Sequence, residues 1–176
     1  MFDVLIKGGM VVDGTGGTHA FKADVGLTNG KIAAVGSLSK ERAHETIDAK
    51  GKIVCPGFID IQNHSDSYGA LLRNPSLDSL LLQGITSILV GHGGSSLSPL
   101  LRGSLASLQK WTDITGVNVD WRSTAEFLNI VNVRGLGPNV ATLVGHGTLR
   151  RDLVGDEMRP LTSKEAMPHS MRDKPT

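Results

Sequence analysis

Three histidines each lie just beyond an apolar run, among glycines and small polar residues: His64 in Gln62-Asn63-His64-Ser65-Asp66, His92 in Gly91-His92-Gly93-Gly94, and His146 in Gly145-His146-Gly147. Imidazole and carboxylate suit zinc, and a catalytic zinc takes three protein ligands and keeps a fourth position open. Bound zinc lowers the pKa of a water to about 7, which makes a hydrolytic nucleophile at neutral pH. A plainer role stands beside each candidate. His64 is either a ligand or a single polar residue closing a strand. Asp66 either orients His64 from behind or belongs to a turn, Ser65-Asp66-Ser67. Gln62 bonds substrate or a ligand, or is structural. His92 either reaches inward as a ligand or satisfies loop backbone. His146 lines a site wall in contact with substrate, or sits in a turn. Arg150 pairs with a substrate carboxylate through both guanidinium arms, or is a solvated surface cation.

These residues need elements that bring them to one place. Residues 1–51 read as a small all-β unit of punctuated strands: Val4-Leu5-Ile6, Met10-Val11-Val12, Ala23-Asp24-Val25-Gly26-Leu27, residues 31–36, and Glu45-Thr46-Ile47-Asp48. Asn29-Gly30 between two apolar runs is a strong hairpin signal, because both turn positions want positive φ. From residue 52 the texture changes. Residues 52–61 form a mostly apolar run, with Cys55 read as a buried small hydrophobe at the end of the strand away from chemistry. Leu71, Leu72, Leu77, Leu80, Leu81 and Leu82 suggest a helix that Gly84 stops. Residues 85–90 are a β-branched, nearly continuous apolar run, as expected of a strand in a parallel sheet. A long connection with Trp111 and Trp121 leads to a second helix signal over residues 124–131, and residues 139–144 form a third buried strand. Strand, helix, strand, helix, strand is the pattern of βα units in an α/β barrel or open sheet. There the chemistry sits at the carboxyl ends of the strands, the edge to which His64, His92 and His146 are delivered.

The chain has 176 residues, 39% of them hydrophobic and 20% charged, with a net charge of +1. That balance predicts a soluble fold and no pull toward nucleic acid or an anionic membrane. The longest apolar run is strand-sized, far short of the roughly 20 residues of a membrane span. Met1-Phe2-Asp3-Val4 lacks a basic leader, so no signal peptide is expected. The single cysteine excludes an internal disulfide and suits a reducing cytoplasm.

Pro56-Gly57-Phe58-Ile59-Asp60, followed by His64 and Asp66, resembles the opening barrel strand of the amidohydrolase superfamily, where Pro-Gly-Phe-Ile-Asp leads into His-X-His. Residues 83–86 with Ser96-Leu97-Ser98-Pro99-Leu100, and residues 139–150, are similar to the second and third strands of the N-acyl-D-amino-acid deacylases. Asp3-Val4-Leu5-Ile6-Lys7-Gly8-Gly9 and residues 11–16 fit their β-domain. The resemblance covers residues 1 to about 155. It implies a hydrolase of linear amide C–N bonds with a metal-activated water, acting on an N-acyl amino acid or related amide. It implies His64 as a zinc ligand and His146 at the substrate; His92 as a second metal ligand, Gln62 and Arg150 at the substrate, and Asp60 and Asp66 orienting the ligands are candidates read from the residues themselves. Two departures stand out: Gln62 replaces the first histidine of His-X-His, and Gly93 replaces a metal-binding cysteine, beside His92.

The fold expected is therefore α/β: a small β-sandwich-type unit over residues 1–51, and the first three βα units of a TIM-like barrel over residues 52–155. Residues 156–176 are expected to hold a truncated helix, opened by the capping box Thr162-Ser163-Lys164-Glu165, and a disordered tail in which His169 is no ligand. A full barrel takes about 250 residues, so catalytic residues are expected on later strands. The isolated chain is expected not to turn over, to hold zinc poorly and to need a complementary C-terminal fragment. Two other readings stand: a non-catalytic remnant or interaction module, favoured by Gln62 and Gly93, and a cyclic amidohydrolase such as a hydantoinase or dihydroorotase relative.

Overall fold

A computed structural model describes residues 1–100, 115, 116 and 118–166. Trp111, His169 and the rest of the tail lie outside the described residues. The chain divides into two compact units, Met1–Pro56 and Gly57–Thr176.

The first unit is one mixed sheet. Its strands are β1 (Phe2–Val11), β2 (Phe21–Thr28), β3 (Lys31–Gly36), β4 (Ala43–Asp48) and β5 (Ile53–Val54), in the order β3-β2-β1-β4, with β5 also on β1. β1 runs antiparallel to β2 and parallel to β4 and β5. Ile6 faces Val25 on one side and Ile47 on the other, and Val25 faces Val35, so one apolar row crosses all four main strands. Asn29 and Gly30 have φ of 51° and 70°, the positive pair that the hairpin between β2 and β3 requires. The runs at 4–6 and 10–12, expected as two strands, are one. A bulge between Ile6 and Gly9 joins them, with Gly8 at φ 75°. The Gly8 amide donates to Asp24 Oδ1 at 2.8 Å, which satisfies a group that the bulge takes off the ladder.

The second unit carries β6 (Phe58–Asp60), α1 (Ala70–Arg73), α2 (Asp78–Leu81), β7 (Ile85–Val90), α3 (Thr124–Arg134), β8 (Asn139–Thr142), α4 (His146–Val154) and α5 (Ser163–Ala166). β6, β7 and β8 form a parallel three-stranded sheet with β7 in the middle. Parallel pairing puts the carboxyl ends of all three on one edge. Ile88 and Val90 bury themselves among Leu71, Leu77, Leu97, Leu100, Trp121, Phe127 and Val131, so the packing of α1 and α3 against the middle strand fixes that edge. The fold is thus α/β, with an all-β unit before it.

Three details depart from the sequence expectations. The apolar run at 52–61 is cut at Pro56: β5 joins the first sheet and β6 opens the second. Cys55 falls in the connection and is exposed rather than buried. The leucine-rich helix is two single turns, because Pro75 disfavours helical backbone at Asn74, which sits at φ −130°, ψ 72°. α2 ends at Leu81 with Leu82 as its C-cap, and Gly84, at φ 80°, closes the turn that follows before β7. The expected capping box at the start of α5 is realised, and α3 opens with a second one that the sequence reading did not name. In α3, Glu126 N–H donates to Ser123 Oγ while Glu126 Oε2 accepts from Ser123 N–H. In α5, Thr162 and Glu165 do the same.

Candidate functional site

Residues 60–66 fold tightly after β6 because short polar side chains cap neighbouring amides. Asp60 Oδ1 accepts from Gln62 N–H at 3.0 Å and its Oδ2 accepts from Asn63 Nδ2 at 2.8 Å. Asn63 Oδ1 then accepts from Ser65 N–H at 2.9 Å. The Asn63 amide first, then the Gln62 N–H, hold the Asp60 carboxyl below the usual carboxylate range, with smaller help from His92 and His64. Asp60 is therefore the anion next to the two imidazoles.

Asp66 is buried and reaches across the sheet edge. Its Oδ2 accepts from Gly91 N–H at 2.9 Å, stitching the turn after β6 to the end of β7. Burial pushes this carboxyl up, against the hydrogen bonds from Ser67 and Gly91 that favour its charged form. Its contacts are to Ser67 and Gly91, so it braces the turn that carries His92.

The structure brings His64 and His92 together, ring centroids 5.9 Å apart and planes inclined at 67°. His92 Nε2 lies 3.1 Å from the Leu89 carbonyl oxygen. A carbonyl only accepts, so this nitrogen carries a proton. Gly93 has φ 66°, and a Cβ built there meets nothing within 4 Å. Gln62 is exposed, and its backbone N–H is the one bonded to Asp60.

The start of α4 lies against the turn after β7, where Thr148 N–H donates to the Gly94 carbonyl at 3.1 Å. His146 opens α4, where Gly145 is the N-cap, and its side chain is exposed. Arg150 Nη2 donates to the carbonyls of Glu157 and Arg159 at 2.6 Å each, so its guanidinium ties down the chain after α4. A buried network that the sequence did not single out links the loop after β7 to the start of α4. In it Ser96 N–H donates to Thr148 Oγ1 at 2.8 Å, and Gly145 N–H donates to Ser96 Oγ at 3.0 Å. Trp121 Nε1 donates to Leu97 O at 2.7 Å in the same loop. Small hydroxylic residues spaced two apart, Ser96 and Ser98, were the visible trace of this network, but only the fold shows what they bond.

Toward a metal, His64 and His92 are the right ligand type at the right edge. Among the described residues, no three His, Cys, Asp or Glu side chains converge as a metal-holding group. The residues present thus do not fit a complete catalytic centre.

No family model matches the chain. It is 36% identical over 172 residues to D-aminoacylase of Alcaligenes xylosoxydans xylosoxydans, a match over 98% of this chain and 34% of that protein. It is 37% identical over 164 residues to N-acyl-D-glutamate deacylase of the same organism, over 93% of this chain and 32% of the relative. Among solved structures it resembles N-acyl-D-glutamate deacylase from Bordetella bronchiseptica, complexed with zinc and a phosphonate that mimics the tetrahedral intermediate. That likeness has a TM-score of 0.78, 35% identity, and coverage of 93% of this chain and 34% of that one. An L-hydantoinase from Arthrobacter aurescens shares the fold alone, at TM-score 0.54 and 23% identity. The chain spans about a third of the length of the curated relatives it matches.

Proposed function

As a homologue of D-aminoacylase and N-acyl-D-glutamate deacylase in the amidohydrolase superfamily, the chain is one we propose to form the opening βα units of a barrel that hydrolyses the linear amide bond of an N-acyl-D-amino acid. The observation that carries this reading is the meeting of His64 and His92 at the carboxyl edge of a parallel sheet. In α/β barrels that edge is where ligands and reacting groups collect. His64 is proposed as a metal ligand, Asp60 as the carboxylate that favours a cation beside it, and Asp66 as the brace of the facing turn. Gln62, His146 and Arg150 remain proposals for contact with substrate, and Arg150 would have to leave its two carbonyl partners to reach a carboxylate.

The chemistry that zinc supplies when bound is a hydrolytic nucleophile at neutral pH. The described residues hold too few ligands to support turnover by themselves, so the reading concerns a longer enzyme to which this chain belongs or which it completes. A second reading, a non-catalytic module, is favoured by Gln62 and Gly93 at the positions where the deacylases have ligands. The cyclic-amide alternative has only a shared fold behind it.

A chimera separates these. The chain replaces the matching third of the Alcaligenes D-aminoacylase, once as it stands and once with Gly93→Cys. Zinc-dependent hydrolysis of an N-acetyl-D-amino acid, gained or strongly raised by Gly93→Cys, is the expected outcome. Folded, zinc-loaded chimeras with no hydrolysis in either form would sink the hydrolase reading and leave the module.

A further inference from the structure

We propose that Ser96 and Thr148 are positioning residues, locking the segment that carries His146 onto the turn that carries His92 so that both imidazoles serve one site. The reaction they serve is the hydrolysis proposed above; the lock itself is read from contacts alone. The two segments run side by side. Leu143 N–H donates to Val90 O at 2.9 Å just past the end of β8, and Thr148 N–H donates to Gly94 O at 3.1 Å. Between these two bonds the backbones touch. A Cβ on Gly145 would lie 2.6 Å from the Gly94 oxygen and one on Gly147 2.8 Å from it, closer than a side chain can stand. His146 is the residue between those two glycines, and His92 lies two residues before Gly94. One carbonyl therefore seats both histidine segments.

Glycine permits this approach, but two hydroxyls set its register. Ser96 N–H donates to Thr148 Oγ1 at 2.8 Å, and the Thr148 hydroxyl donates back to Ser96 O at 3.2 Å. Ser96 Oγ accepts from Gly145 N–H at 3.0 Å and donates to Ser98 O at 2.6 Å. Ser96 and Thr148 are buried, at 1% and 3% exposure. A buried hydroxyl costs stability unless it is bonded, and a bonded buried network admits one arrangement where apolar contacts would admit several. Alanine and valine would fill the same space without that cost. What the hydroxyls add is placement rather than burial. The His92 turn is itself held from its other side, where Gly91 N–H donates to the buried Asp66, and Ser95 N–H donates back to the His92 carbonyl at 3.2 Å. The lock thus joins His146 to a turn that is already anchored.

The test reads histidine ring signals by nuclear magnetic resonance on the whole native chain and on three variants. Thr148→Val keeps the side chain's shape and removes both of its bonds to Ser96; Ser96→Ala removes the acceptor for Gly145 N–H; Thr148→Ser restores the hydroxyl. The ring signals of His92 and His146 are expected to move together in Thr148→Val and in Ser96→Ala, and to return to their wild-type positions in Thr148→Ser. Those of His19 and His44, in the first unit, should stay fixed. Folded Thr148→Val or Ser96→Ala protein with both rings at wild-type positions would overturn the proposal, since the bonds would then serve stability alone. Movement of one ring without the other, or rings that stay displaced in Thr148→Ser, would overturn it too. Should the variants fail to fold, the amides of the native protein decide. Ser96, Gly145 and Thr148 N–H are expected to exchange with solvent at least about a hundredfold slower than in open chain, with one common protection. Open-chain rates or unequal protection would count against the lock. If the deacylase chimeras are inactive while the two rings still move together, the hydrolase reading falls and the lock stands. If a chimera is active and the rings stay fixed, only the lock falls.

Discussion

Asp66 puts a carboxyl with 1% of its surface exposed beneath the candidate site, and its long-range partner among the described residues is the Gly91 amide. Removing the acceptor leaves a buried N–H unpaired, so Asp66→Ala is expected to cost about 1–3 kcal/mol. Asp66→Asn keeps an acceptor oxygen and should cost less. The pH dependence has a definite sign. Burial raises the carboxyl in the folded state, so the folded chain binds its proton more tightly than the unfolded chain does. Its favourable contribution is full at low pH and is lost as pH rises through the raised folded pKa. Urea unfolding of wild type and both variants between pH 4 and 7 checks this: Asp66→Asn should flatten the fall in stability toward neutrality, and an unchanged slope would contradict the assignment. At this scale the sequence was legible in part. The residue types and their strand-end positions marked His64 and His92 as candidates together. They did not show that Asp66 would turn from His64 to Gly91, or that Arg150 would be taken up by two carbonyls, because a side chain's partner is set by backbone distant in sequence.

Secondary structure was readable wherever a local rule forced it. Asn29-Gly30 needs positive φ and turns the first hairpin, and the Thr162-to-Glu165 cap starts α5; the like cap from Ser123 to Glu126 at α3 was there to read and was not named. The errors share a cause: apolar periodicity does not report interruptions of the backbone. Gly8 lets β1 run on through a bulge, Pro75 halves a helix whose leucines look continuous, and Pro56 divides one apolar run between two sheets. The cap at α3 is a fair measure of how far local signals go, since Phe127 and Val131 of that helix lie in the core. Ser123→Ala removes the acceptor for Glu126 N–H, and a loss of about 1 kcal/mol is expected by denaturant titration. The same change made with Glu126→Ala should be less than additive, because the two side chains complete one reciprocal motif. Full additivity would mean that the caps act independently.

The whole second unit presents apolar surface that its own described residues do not cover. β6 and β8 are the outer strands of a three-stranded parallel sheet, a type of sheet usually covered on both faces. Phe58 is 58% exposed, Ile59 68% and Ile61 70%, and Leu143 and Val144 are open just beyond β8. An apolar strand with a free ladder edge is a template for pairing with another chain. The 176-residue protein is therefore expected to self-associate as its concentration rises and to bind a hydrophobic dye in its native state. Ile59→Thr with Ile61→Lys places a polar and a charged side chain on that edge. The double variant should shift light scattering and gel filtration toward monomer and lower the dye signal. Neither residue belongs to the buried core cluster, so circular dichroism should stay unchanged. A wild-type chain that stays monomeric and dye-silent at high concentration would show that this surface does not act as a template for pairing.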